Sequence, residues 1–384
     1  MENAFVRRVS CNEKLFIASA NSGVNITYRF LIGINGDLPF DLLKAALEKA
    51  VSNCKGVNLR YRRCKWYLSD YLPEFKIVES DAEDIYSHPI SEIDHRKHTF
   101  KASVIHHKKT NGKYISLEFL HCVCDGEAAI SFVYDIFAAL NGQPLTKYCW
   151  NYTDHDVVKN YAKEHTEKPK VFLGCEFKDN SGEEKADRFN LMTTPYQKGG
   201  VSAKVSYAVA KLFTEKDVTV MIPVNVRGYL PKSDEFCFGN LTLPLFIQCK
   251  GKSRDEISDE IRGKLKRGAS LSKYIAKNFY LDIAPMPIVD FVIKSYIGFI
   301  KHRKSFILCA IVSYMGDVDE SRFENPYFEV SDMIAQAEKY PYCAFDTFSV
   351  GFKGHLNVGI TCENRLIDEK NYRQLTENIK ESFK

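Results

Sequence analysis

The sequence predicts an α/β protein organised as two units of similar size. Three observations carry that prediction. The chain has 384 residues, more than one hydrophobic core usually organises. Strand-type alternation and helix-type periodicity succeed one another in both halves. Between the halves lies a charged stretch, 151–200, with Lys178-Asp-Asn-Ser-Gly-Glu-Glu-Lys185 near its middle, which reads as a surface excursion. The expected division is 1–150 for the first unit, 151–200 for the connection and 201–384 for the second unit.

In chain order, Val24 to Gly33 has the composition of a strand, and Asn35-Gly36 marks a turn. Leu42, Leu43, Ala46, Leu47 and Val51 recur at helical spacing after Pro39, which suits the start of a helix reaching Cys54. Short strands are expected at 57–62, 64–69 and 74–78. The segment 80–99 is rich in Asp, Glu, His and Lys and reads as surface. Residues 100–107 and 113–120 form a hairpin pattern around Asn111-Gly112. Ala129, Ile130, Val133, Ile136, Phe137 and Leu140 predict a helix opening at Gly126 and closed by Asn141-Gly142. In the second half, helices are expected at 201–212, 253–268 and 368–382. Strands are expected at 218–225, 241–249, 306–314, 346–350 and 356–362.

Composition excludes several classes. With 45% hydrophobic and 27% charged residues the chain is globular rather than disordered. A net charge of +4 is too small to demand nucleic acid. No apolar run reaches the ~18 residues of a membrane span, so membrane contact is at most peripheral, through the apolar stretch Ile288 to Ile300. That stretch reads rather as a buried helix, or as the wall of a hydrophobic acceptor channel. Twelve cysteines at this length, behind an N-terminus without a signal-peptide core, imply reduced thiols in a cytoplasm. Cys122 and Cys124 have no second pair at zinc spacing, so no metal is expected. His88, His95, His98, His106 and His107 have no partner at a telling spacing.

The chemistry concentrates in Tyr114-Ile-Ser-Leu-Glu-Phe-Leu-His121-Cys-Val-Cys-Asp125-Gly126. Counting back along the strand, Phe119, Leu117 and Ile115 share the side of His121, which aims the imidazole at the apolar interior. Asp125 directly precedes the helix and suits an N-cap. Further on stand Pro223-Val-Asn225-Val-Arg227, Phe238-Gly239-Asn240 and Ser313-Tyr-Met-Gly316.

His121-x-x-x-Asp125-Gly126 resembles the active-site signature of the CoA-dependent acyltransferase superfamily. The later segments resemble the Asn-x-Arg, Gly-Asn and Ser-Asn-x-Gly elements of its alcohol acetyltransferase branch, with Tyr314 replacing asparagine. The resemblance implies two chloramphenicol-acetyltransferase-like subdomains with mixed sheets flanked by helices, and a channel between them that holds His121. It further implies an acyl-CoA donor, a hydroxyl acceptor and a site complete within one chain, hence a monomer. Its roles fall as follows: His121 as base, Asp125 as structural support, Gly126 as the position of close approach, and Ser313 or Asn240 as oxyanion or substrate-side donor. Arg60 and Arg227 are both candidates to pair with Asp125, while Asn225 and Arg227 could brace the crossover between halves. Lys301-His-Arg-Lys304 is a candidate for the phosphates of CoA, and as a charge run it also reads as a solvated face. An unperturbed imidazole, with a pKa of ~6.5, is largely free base at neutral pH and can take a hydroxyl proton. Gly-x-Ser-x-Gly is absent, so no acyl-enzyme is called for. Amide-forming or carrier-dependent condensation is the alternative, although Leu120 stands where condensation signatures carry a second histidine. A non-catalytic binding module of the same fold is the other.

Overall fold

The computed structural model describes residues 4–71, 74–161, 175–176, 187–195, 199–213, 218–271, 283–303, 305–306, 308–363 and 369–384. Two mixed β-sheets carry the architecture. The five-stranded sheet runs Phe328–Ala337, Thr27–Gly36, Gly112–Leu120, Phe100–His107, Phe75–Ser80. The six-stranded sheet runs Asp187–Pro195, His355–Glu363, Cys343–Phe352, Leu308–Asp317, Thr219–Asn225, Thr242–Gln248. Each has its own apolar core. The helices Phe40–Asn53 and Gly126–Leu140 bury Leu43, Leu47, Val51, Phe132, Val133 and Ile136 against the first sheet. Val201–Ala210 and Glu369–Ser382 bury Val205, Val209, Leu375 and Ile379 against the second.

The expected hairpin forms, with Phe100 opposite Phe119 and Asn111 in the left-handed region at φ 55°. Its apolar face closes on an aromatic cluster in which Phe100, Phe119 and Phe132 lie 5.1–6.1 Å apart. Several elements among the described residues went unpredicted. The helices Cys11–Asn21 and Asp154–Tyr161 have no expectation behind them, and nor does the strand Phe328–Ala337. Part of the stretch read as a surface excursion is the edge strand Asp187–Pro195, paired along its length with His355–Glu363.

The segment 80–99 is not simply surface. Ile85, Ile90, Ile93, His95 and His98 are buried. The segment's first part is held down by Arg29, itself fully buried in the strand Thr27–Gly36, which donates to the carbonyls of His88 at 2.6 Å, Pro89 at 3.2 Å and Ile85 at 3.4 Å. Its Nε donates to Gln336 Oε1 at 2.9 Å. Burial lowers the Arg29 pKa to about 10.

The strand Phe328–Ala337 belongs to the second half in sequence and to the first sheet in space, antiparallel to Thr27–Gly36. It is also where the two sheets touch. Asn357 Nδ2 donates to the Met333 carbonyl and Thr361 Oγ1 to the Ala337 carbonyl, both at 2.9 Å. Residues 357, 359 and 361 share one face of their strand, so Gly359 faces the carbonyl of Ala335 between them. A Cβ there would lie 2.9 Å from that oxygen and 2.7 Å from the Phe189 ring. Gly359→Ala is therefore expected to cost about 1–3 kcal/mol of stability, to be read from urea denaturation of the two proteins side by side.

Candidate active site

The motif strand Gly112–Leu120 delivers His121 just beyond its last residue, and the His121 N–H donates to the Ile26 carbonyl at 3.0 Å. Ile115, Leu117 and Phe119 are buried in the first core on the histidine's side of the strand. Asp125 caps the next helix, its Oδ1 accepting from the Ala128 N–H at 2.9 Å. The same carboxylate also reaches the other half of the chain. Arg227 Nη1 donates to Asp125 Oδ2 at 2.8 Å and Nη2 to Oδ1 at 3.0 Å, a two-pronged pair with both side chains buried. The Leu241 N–H adds a bond to Oδ2 at 2.8 Å. Asp125 is thus fully committed and is not free to orient the imidazole directly.

Arg227 is equally engaged. Its Nε donates to the Cys237 carbonyl at 2.9 Å, Nη2 to the Gly239 carbonyl at 2.8 Å and Nη1 to Asn225 Oδ1 at 3.2 Å. Asn225 in turn donates to Glu127 in the first turn of the motif helix. Arg60, the other candidate, takes no part: its Nε is buried with no hydrogen-bond partner on a separate hairpin.

Asn240 sits against His121. Its Nδ2 donates to the His121 carbonyl at 2.9 Å and lies 3.5 Å from the ring Nδ1, while its Oδ1 accepts from Thr242 Oγ1 at 2.8 Å. That network fixes which end of the amide faces the histidine. The remaining walls are aromatic. Phe16 stacks on the imidazole at 5.0 Å and 23°, Tyr28 lies 5.0 Å away and Tyr340 6.2 Å. Tyr28 Oη donates to the Asp125 carbonyl at 3.0 Å. Burial among these groups lowers the His121 pKa. Hydrogen bonds to the carbonyls of His121 and Cys124, and the charge of Asp125, push the other way without prevailing. The ring's own carbonyl can be met only from Nδ1, the nitrogen that the Asn240 amide also approaches at 3.5 Å.

Gly126 is a point of close approach. A Cβ there would stand 2.9 Å from Met315 Cγ. Met315 and Ile311 pack against the first core, whereas Val312 and Tyr314 pack against the second. Alternation therefore turns Ser313 toward the first half, on the face that meets Gly126. For Lys301-His-Arg-Lys304, Lys304 and the side chains of Lys301 and Arg303 lie outside the described residues. Among the described residues no group of three or more His, Cys, Asp or Glu side chains is placed to hold a metal ion. No helix among them is long and apolar enough to cross a membrane.

Sequence reasoning missed Phe16, Tyr28, Tyr340 and Met315. For Phe16 a signal existed: Ser10-x-x-Glu13 is a capping box, realised by Ser10 Oγ accepting from the Glu13 N–H at 3.3 Å and Glu13 Oε2 from the Ser10 N–H at 2.8 Å. Buried Arg7 grips the Glu13 carboxylate at 2.6 and 2.7 Å and so fixes how the helix leaves.

Together these features define a two-subdomain chloramphenicol-acetyltransferase-like fold of the condensation-domain type, with the histidine motif where the halves meet. Solved structures share it end to end. Polyketide synthase associated protein 5 from Mycobacterium tuberculosis matches over 99% of this chain and 98% of its own, at 14% identity and TM-score 0.66. A mutant starter condensation domain of rhizomide synthetase, in complex with C8-CoA and Leu-SNAC, matches over 98% and 94% at 9% identity and TM-score 0.63. The epimerization domain from the third module of tyrocidine synthetase B matches over 100% and 98% at 13% identity and TM-score 0.59. No family model and no curated protein sequence matches the chain.

Removing one member of the clamp strands the other's charge. Arg227→Ala is expected to destabilise the fold by about 3–5 kcal/mol, measured as the change in unfolding free energy by urea titration.

Proposed function

We propose that the protein is an acyltransferase that moves an acyl group, acetyl in the first instance, from a CoA thioester to a hydroxyl acceptor. The observation that carries the proposal is the placement of His121: its carbonyl is held by Asn240 and its ring is walled by Phe16, Tyr28 and Tyr340, burial that lowers its pKa and suits Nε2 to the part of proton acceptor. The acceptor's O–H proton passes to Nε2 as its oxygen attacks the thioester carbonyl. The tetrahedral intermediate then expels the thiolate, which takes the proton back from the imidazolium, leaving an ester and free CoA. Ser313 is the candidate donor to the oxyanion. Asn240 acts as a positioning residue for the ring rather than as that donor, because its amide is spent on His121 and Thr242. Both halves of the site come from one chain, so a monomer suffices.

Amide formation, with an amine in place of the alcohol or a carrier-bound donor in place of CoA, draws specific support from the neighbour solved with both C8-CoA and Leu-SNAC. The same base serves either acceptor. A fold that also hosts an epimerization domain does not by itself select the chemistry.

A panel of acyl-CoA donors against alcohols and amines, with free CoA as readout, tests the proposal. Acceptor-dependent CoA release should fall by roughly 10²–10⁴ in His121→Ala while circular dichroism shows the fold intact. Unchanged release in that variant would leave a binding module of the same fold. In the wild-type protein, kcat/KM against pH should rise through a pKa below the ordinary histidine value of ~6.5 and stay flat above it, because acid converts the lowered-pKa ring to imidazolium.

A further inference from the structure

Arg60, left out of the Asp125 clamp, belongs to a second polar site. The strands Leu59–Arg62 and Lys65–Leu68 are joined over Arg63 and Cys64, both left-handed at φ 50° and 58°, a turn more commonly made by Asn-Gly. The hairpin presents Arg60, Tyr61, Arg62 and Arg63 to a concavity of about 340 Å³ that Arg96 completes from the neighbouring turn. The two parts are tied by the Tyr61 N–H donating to the His95 carbonyl at 2.7 Å.

Four arginines thus line one concavity. Among the described residues none of these four arginines forms an ion pair, unlike Arg7, Arg227, Arg254 and Arg262. The nearby acids are occupied elsewhere. Asp94 accepts from the Arg96 N–H at 3.0 Å and pairs with Lys97 at 3.9 Å, and Asp290 accepts from Asn21 at 3.0 Å. Like charges gathered this way repel one another, and an anion reverses the sign of that energy. Planar guanidinium forks match phosphate oxygens in particular, and the volume suits a small ligand.

We propose that this concavity binds the phosphate group of a small phosphate ester. Its turn is tied to the segment that leads into the helix carrying Phe16. The Cys64 carbonyl accepts from the Val9 N–H at 3.1 Å, and Val9 precedes Ser10, the cap of the helix that lays Phe16 on the imidazole. The inference does not depend on the acyl-transfer proposal.

Calorimetric titration of the full chain at low ionic strength with pyrophosphate and with CoA tests it, comparing wild type with Arg62→Gln/Arg96→Gln. Both side chains are exposed, so the thermal midpoint should not move, and each single variant can be read in the same way. Saturable pyrophosphate binding by wild type, weakened at least tenfold in the variant, is the expected result. Parallel weakening of CoA binding would identify the phosphate as that of CoA, whereas unaffected CoA binding would assign the site to another phosphate ester. No pyrophosphate binding by wild type, or equal binding by both proteins, would overturn the proposal.

Discussion

A buried ion pair between Asp125 and Arg227 is the constraint on which the rest of the structure depends. Burying two charges is unfavourable unless every remaining donor and acceptor finds a partner. Here the requirement is met in full. The five guanidinium N–H groups have five acceptors in Asp125 Oδ1 and Oδ2, Asn225 Oδ1 and the carbonyls of Cys237 and Gly239. The carboxylate has two further donors in the N–H groups of Ala128 and Leu241. Because those partners come from both halves of the chain, the pair can be satisfied only when the halves are in register.

That register creates the environment of His121. Leu241 is held by the clamp, and its neighbour Asn240 is thereby brought against the imidazole. Asp125 supplies only a distant charge, since its oxygens are taken. The ring is left in aromatic surroundings contributed by Phe16, Tyr28 and Tyr340, which withhold solvation from the imidazolium and favour the neutral form. A carboxylate in direct contact would have done the opposite and raised the pKa. In the proposed reaction the division of labour, in which the acid builds and the histidine takes the proton, follows from where each hydrogen bond ends.

Much of this was legible in the sequence because it is local. The motif strand, its hairpin partner and the motif helix are set by alternation, by Asn111-Gly112 and by helical spacing after Gly126, and each is found within a few residues of its expected place. What escaped is non-local. The strand Phe328–Ala337 is broken by a bulge between Val330 and Asp332, which spoils its alternation, and nothing in its sequence states that its partner lies some 300 positions earlier. Gly33 answers that bulge: a Cβ there would meet Ser331 Oγ at 2.7 Å. The choice between Arg60 and Arg227 was undecidable from sequence for the same reason, since both lie far from Asp125 along the chain. The aromatic walls around His121 come from three separate elements and share no spacing.

Fold and chemistry therefore separate cleanly. Neighbours of 9–14% identity establish the architecture, and the proposed reaction stands on the state of one imidazole. That state can be observed without any substrate by nitrogen-15 NMR of the His121 ring across a pH titration. The account predicts a neutral ring protonated on Nδ1, with a pKa below the ordinary ~6.5. A ring protonated on Nε2, or one that titrates above that value, would contradict it.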